Sequence, residues 1–303
     1  MRSQKRLRDE LRFITEFNTL CDVIQQSAVS QLSRANARAT QQPLLMEILR
    51  REFLPLVPAS AAAHPLVRAG VRGHLLVVFT SDEGLVGPLH AEVVRQAQQR
   101  AGRQTQWIMV GQRGMRLLGT QAVTSRVMPI PSEDEEPDRL RKLSAVILAQ
   151  FTREALQDAW LVAPQFISTT RQEVTAQQLL PLPVPPSQGR HSDEALIIEP
   201  SVERIVHELA TLWVEYACVE TFWSARRAEF AARALHMERS RQELATHSKR
   251  LQYEFFKALH ERVDVMVRET CVVQRLSAAK HLAGHTTVSA AQPTRQPTHA
   301  KGR

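Results

Sequence analysis

A chain of 303 residues with 39 Lys and Arg against 31 Asp and Glu carries a formal charge of +8, which points to acidic partners of some kind: nucleic acid, anionic headgroups or an acidic protein surface. Aromatic residues make up only 5% while Arg, Gln, Ala, Leu and Glu fill long stretches, which excludes a thick aromatic interior and favours extended helix. Cys21, Cys218 and Cys271 are far apart and odd in number, and no apolar run approaches the roughly 18 residues of a spanning helix, so a disulfide framework and a transmembrane segment are excluded and a soluble chain in a reducing, cytoplasmic compartment is expected.

Residues 1–42 contain neither Gly nor Pro. Alternate steps of four and three run through Leu7, Leu11, Ile14, Asn18, Cys21, Gln25, Ala28, Leu32 and Ala35, with Phe17 and Ile24 flanking the polar positions. That is the seam of a helix packed along another helix. Pro43 removes an amide donor and predicts that this helix weakens or ends there. Next, "GHLLVVFT" (73–80) and "TQWIMVG" (105–111) read as buried strands, and "PLHAEVVRQAQQRAG" between them as the connecting helix of a βαβ unit. A further helix is expected over roughly 137–157, followed by two strands in "AWLVAPQFIST" and "EVTAQQLLPL". "PLPVPPSQGRHSDEA" is a Pro-rich connector.

Between Pro200 and Gly284 nothing breaks a helix. The four-three stepping continues through Phe230, Ala234, Met237, Arg241, Leu244, Ser248, Leu251, Phe255, Ala258, Arg262, Val265, Glu269, Val272 and Leu276. One helix of that extent spans roughly 125 Å at about 1.5 Å per residue, more than a small domain covers, and the N-terminal helix is the natural partner for its stripe. Arg241, Ser248, Arg262 and Glu269 interrupt the seam. Buried, they set register or mark a partner surface; alternatively the stripe drifts, with Met266 and Val273 taking over. The tail "HTTVSAAQPTRQPTHAKGR" has two prolines and no acid, the composition of a disordered segment.

The turn "FTSDEGLVGPLH" follows an apolar strand and precedes a helix, the setting of many phosphate-binding loops. A phosphate loop needs amides around the phosphates and a Lys-Ser/Thr pair. Gly84 and Gly87 are instead followed by Pro88 and Leu89, and no third glycine completes a dinucleotide fingerprint. The 11 histidines are scattered without metal-ligand spacing; His236 and His247 are not at helical i, i+3 or i, i+4 offsets. "SEDEEPD" (132–138), beside Pro131 and Pro137, reads as a solvated loop and helix start, and no Gly-x-Ser-x-Gly elbow occurs. No metal, cofactor or catalytic residue is expected.

These features in this order resemble the gamma subunit of rotary, F-type ATP synthases over roughly residues 1–280. The segment Thr80-Ser81-Asp82-Glu83-Gly84-Leu85-Val86-Gly87 is similar to the one after the family's first central strand, which usually has cysteine at the place of Val86 and a second glycine at that of Pro88. "VGQRGMRLL", with Gly111 and Gly114, resembles the next strand-to-helix turn, and "APQFISTTRQEVTAQQLLP" the paired late strands. Glu229, Ala232, Arg233 and Met237 match a Glu-x-x-Ala-Arg-x-x-x-Met signature; Arg262 and Glu269 match an Arg and a Glu seven residues apart. The chain departs from the family in "CDVIQQSAVSQ", where an Ile-Thr-x-Ala-Met segment is usual, and at Val263 and Val267, where glutamine and threonine are usual. Two hydrogen-bonding positions have become apolar, as in a divergent member of the family, of which the alternative sodium-associated ATPase type is the candidate.

The resemblance implies a non-catalytic rotor shaft, without an active site or cofactor of its own. Its coiled coil would sit inside a hexamer of nucleotide-binding alpha and beta subunits, and its α/β domain against epsilon and the membrane rotor ring. Arg262, Glu269, Glu229, Arg233 and Met237 would be coupling or partner contacts; Gly84, Gly87, Gly111 and Gly114 would be structural turns. The shaft would couple proton or sodium flow to ATP synthesis or hydrolysis at the cytoplasmic side of the inner membrane, as a peripheral subunit. The expected fold is α/β with long helices: an antiparallel coiled coil of the N- and C-terminal helices plus a central Rossmann-like α/β domain. Its divisions are a coiled-coil helix over 1–56, the α/β domain over 70–182, the connector over 183–200, the long helix over 201–283 and a disordered basic tail over 284–303. The rival reading is a basic coiled-coil protein that binds nucleic acid or acts as a scaffold. Interleaved acids and bases in both long helices count against it.

Overall fold

With no Gly or Pro to interrupt it and a continuous apolar seam to bury, the N-terminal segment forms a single helix, α1 (Gln4–Ala39), in a computed structural model that describes residues 4–39, 43–102, 104–119, 125–132, 134–185 and 199–288. Every seam position named above from Leu7 to Ala35 is buried or half-buried. The long C-terminal helix, α6 (Val202–Val288), runs through Gly284, four residues past the expected start of the tail. A single glycine costs a helix only about 1 kcal/mol relative to alanine, too little to stop one by itself. Residues 289–303 of the tail and 186–198 of the connector lie outside the described residues.

The helix expected over 1–56 is not one element. The described part of α1 reaches Ala39, and from Pro43 the chain forms a short helix, α2 (Pro43–Ile48), followed by a π turn (Leu49–Phe53) and 3-10 turns (Leu54–Leu56, Ala59–Ala63). Met46, Leu49 and Leu54 are buried in the core of the α/β domain, which is why the chain leaves the coiled-coil path here.

The middle of the chain folds as β1 (Arg72–Phe79), α3 (Leu89–Arg100), β2 (Thr105–Val110), α4 (Gln112–Leu118), β3 (Ser125–Met128), α5 (Glu136–Arg153), β4 (Leu156–Phe166) and β5 (Gln172–Leu180). The sheet order is β3-β2-β1-β4-β5, with the first four strands parallel and β5 antiparallel to β4. Alternation along β1 explains the two layers. Leu76 and Val78 pack with Val93, Val94 and Ala97 of α3 on one face. Leu75, Val77 and Phe79 pack with Leu143, Ile147 and Phe151 of α5, and with Val206, Trp213 and Phe222 of α6, on the other. The four-residue β3 carries too little pattern to be read as an element from the sequence, whereas α4 lies in "VGQRGMRLL", the segment likened to a strand-to-helix turn.

The chain divides into two units. One, Thr19–Gln242, holds the sheet, its helices, the second half of α1 and the first half of α6. Here α6 is bound into the domain by the Trp213 indole N–H, which donates to the Leu179 carbonyl at 3.0 Å, and by the Ser224 hydroxyl, which accepts the Phe166 amide at 3.2 Å. The two long helices run antiparallel in it, Arg38 lying over the Trp223 ring and Gln25 donating to Glu238. A polar layer interrupts their seam: Arg241 pairs with Asp22 at 2.9 Å and donates to the Gln25 amide oxygen at 2.7 Å. The seam arginine is thus partnered across the coil, as a register device requires.

In the other unit the first part of α1 pairs antiparallel with α6 after Glu243. Leu7, Ile14 and Leu251 form its small buried cluster, flanked by Leu11, Leu244, Phe255 and Ala258. Arg8 lies over the Phe255 ring, and Arg262 donates to the Gln4 side-chain oxygen at 3.1 Å. Gln4 is the first described residue of α1, and beyond Arg262 the side chains of α6 through Leu276 are exposed.

Candidate functional site

The glycine turn leaves the C-terminal end of β1, and its residues are held from three directions. Thr80 donates its hydroxyl to the Val110 carbonyl at 3.0 Å and accepts the Gly114 amide at 3.0 Å, tying β1 to the start of α4. A side chain at Gly114 would strike the Thr80 methyl at 2.7 Å, and one at Gly111 (φ +94) the Thr80 backbone carbonyl at 2.7 Å, so both positions exclude a Cβ. Asp82 accepts the amide of Gln112, the first residue of α4, at 2.7 Å and the Ile130 amide at 3.2 Å. It therefore caps α4 and anchors the strand after it.

The third attachment is to α6. Arg233 is 5% exposed and Glu229 2%. Their ion pair is 2.6 Å long, and Arg226 closes on the other Glu229 oxygen at 2.9 Å. The same Arg233 guanidinium reaches across 149 residues of sequence to donate to the Gly84 carbonyl at 3.2 Å and pair with Glu83 at 3.0 Å. Val86 and Leu89 of the turn bury against Ala232 of the same helix face. Gly87 (φ +60) lies where a Cβ would come within 3.4 Å of the His236 ring. The i, i+3 and i, i+4 spacing on α6 is what gathers Glu229, Ala232, Arg233 and His236 under one turn.

His90, at the start of α3, completes the site. It is buried, and its Nε2 lies 2.8 Å from the Ser81 hydroxyl oxygen. Burial holds its pKa below the usual histidine value, with the nearby Glu229 charge opposing the shift and the Arg233 and Arg113 charges reinforcing it. On α6 about three turns earlier, in the domain core, burial pushes the Cys218 thiol up to about 12, so this cysteine is protonated and packs as a small apolar group.

What the turn offers α6 is a carbonyl and a carboxylate, both acceptors. A phosphate needs donors at that place, so the chemistry of this turn suits an arginine and not a nucleotide. The structure brings together Gly84, Gly87, Glu229 and Arg233, with Gly111 and Gly114 behind them. Glu229, Arg233 and Met237, expected as partner contacts, have their side chains inside the chain, Met237 at 3% exposure. Arg262 and Glu269 belong to the other unit and are exposed. Ser81 and Asp82 lie in the family-like segment without a role assigned from the sequence, and His90 had none either. An Asp two residues before a glycine at a strand end signals a turn, but nothing local names Gln112 or Ile130 as its partners.

A sheet of this order crossed by two long antiparallel helices, with a glycine turn locked to one of them by a buried arginine, defines a subunit built around a helical stalk. The family model described as ATP synthase matches residues 3–262. The ATP synthase gamma chain of Erythrobacter litoralis is 27% identical over 228 residues, covering 71% of this chain and 79% of the relative, and that of Ralstonia nicotianae is 26% identical over 254 residues, covering 78% and 87%. Among solved structures, a chain of the Euglena gracilis mitochondrial ATP synthase rotor has the same fold, with a TM-score of 0.62 at 13% identity over 86% of this chain and 98% of that one. The chain belongs to the ATP synthase family, as a gamma subunit of the F type, whose place is the central stalk. It works in a complex with the rest of an ATP synthase. Among the described residues no helix is long and apolar enough to cross a membrane.

Proposed function

We propose that this subunit couples ion flow through a membrane rotor ring to ATP synthesis or hydrolysis on a hexamer of alpha and beta subunits, by rotating within it. Its α/β domain would meet the epsilon subunit and the ring on the cytoplasmic side, and its paired helices would enter the hexamer. An asymmetric rod touches three equivalent catalytic sites differently, so its orientation biases each site's conformation and rotation moves the bias around the ring.

The observation that carries this reading is the end of α6. Val263, Val265, Met266, Val267, Val272, Val273 and Leu276 are all large, apolar and at least half exposed, a surface that a helix free in water would not keep. Arg262 and Glu269 stand among them, seven residues and nearly two turns apart on one face. We assign this end to the interior of the hexamer, with Arg262 and Glu269 as hydrogen-bonding contacts to a catalytic subunit. Val263 and Val267 cannot share that load, so the contact concentrates on the two charged residues. A charge-assisted hydrogen bond contributes about 1.5 to 3 kcal/mol, so Arg262→Ala is expected to lower coupled ATPase activity in the reconstituted complex about tenfold while the subunits still assemble. Full activity of that variant would remove Arg262 from the mechanism, and failure of the wild-type chain to co-purify with alpha and beta subunits would remove the reading itself.

A further inference from the structure

The Ser81 hydroxyl has one hydrogen, and it is committed: Oγ donates to the Glu83 carbonyl at 2.7 Å. The 2.8 Å contact with His90 therefore runs the other way, with Nε2–H of the imidazole donating to Ser81 Oγ. This sets the tautomer. The lone pair is on Nδ1, which is buried and finds no hydrogen-bond partner among the described residues. Protonation would place an N–H, and a charge, at that unpartnered atom.

The charges around His90 come from three elements besides its own. Glu83 belongs to the turn, Arg113 to α4, and Glu229 and Arg233 to α6. On α3 itself, Glu92 is engaged with Arg95 at 2.9 Å. His236, against Gly87, is the other histidine at the turn. Of these, Glu229 is the buried anion whose charge favours a protonated His90, and it is also the anion that holds Arg233 in place. A protonated His90 would compete with Arg233 for this carboxylate, whose other oxygen Arg226 of α6 holds at 2.9 Å.

We propose that His90 is an acid-sensitive latch on the glycine turn: a proton on Nδ1 draws Glu229 from Arg233, and the Glu83–Leu85 segment is released from α6. Leu85, held at φ +65 with its side chain half exposed, is the residue with backbone strain to lose when the segment lets go. The sign follows from burial. The folded chain binds the proton less readily than the unfolded one, so the latch is fully closed above the usual histidine value of 6.5 and opens as the pH falls through the lowered value of the folded chain.

The test is hydrogen exchange on the full chain at about pH 7.5 and about pH 5.5, corrected for the intrinsic pH dependence of exchange. The Arg233 Nε–H, which donates to the Gly84 carbonyl, is expected to lose about tenfold more protection than the amides of α5, and His90→Gln, whose side-chain amide keeps a donor for Ser81 without titrating, is expected to abolish the difference. A wild-type Arg233 Nε–H whose protection is flat, or one in His90→Gln that loosens like the wild type, overturns the proposal. Nitrogen NMR on the wild-type imidazole keeps the question open to decision should the variant fail to fold. It should find the proton on Nε2 at neutral pH and a titration that moves the Arg233 Nε signal with it; a proton on Nδ1, or an Arg233 signal indifferent to the titration, is incompatible with the latch.

Discussion

The two halves of α6 have the same helical backbone and opposite surroundings. From Val206 to Phe230 its inward face carries Trp213, Phe222, Trp223 and Phe230 into a core shared with α5 and the sheet. After Arg262 it carries a comparable density of large apolar side chains, and all of them through Leu276 are exposed. Apolar content alone therefore does not say which part of a long helix is core. What distinguishes the halves is that the first has an antiparallel helix and a sheet to bury against, while the second has outrun the described part of α1 at Gln4. The second half is stable as helix without tertiary contacts only because it continues one already nucleated, since adding a residue to an existing helix avoids the nucleation cost.

This contrast is open to attack by substitution. The largest effect is expected in the clad half: Trp213→Ala removes a fully buried ring and leaves the Leu179 carbonyl without its donor, and should destabilise the chain by about 4 kcal/mol in denaturant unfolding. A change below about 1 kcal/mol would mean that α6 is not bound into the domain as described. Leu251→Ala strikes the small cluster of the other unit and should cost about 2 kcal/mol, read locally as lost exchange protection in Leu7–Asn18 with the amides of β1 unaffected. Equal loss in β1 would show that the two units unfold together. The smallest effect on the chain by itself belongs to Met266→Ala, at 68% exposure: within about 0.5 kcal/mol of wild type in isolation, yet weaker in competition for alpha and beta subunits. Unchanged competition would leave the apolar surface of the free end without a partner.

Much of this fold was legible because its longest elements repeat one physical rule many times. The seam from Leu7 to Ala35 and from Phe230 to Ala258 is visible at a period near 3.5, and each position buries or half-buries as that period requires. The strands with continuous apolar runs, such as Leu75 to Phe79, were equally plain. Short elements were not: β3 has four residues, and the π and 3-10 turns after Pro43 follow no period at all.

The site divides along the same line. Glu229, Arg233, Gly84 and Gly87 were singled out through a family resemblance, as partner contacts and structural turns. That Arg233 holds Gly84 and Glu83 was invisible, because a contact across 149 residues leaves no local pattern. Periodicity, charge spacing and glycine placement are properties of neighbouring residues, and they determined by themselves that this chain makes two long helices around an α/β domain. Which cation each buried carboxylate holds, which tautomer His90 adopts and where α6 loses its cover depend on groups brought together from distant parts of the chain, and only the tertiary structure decided them.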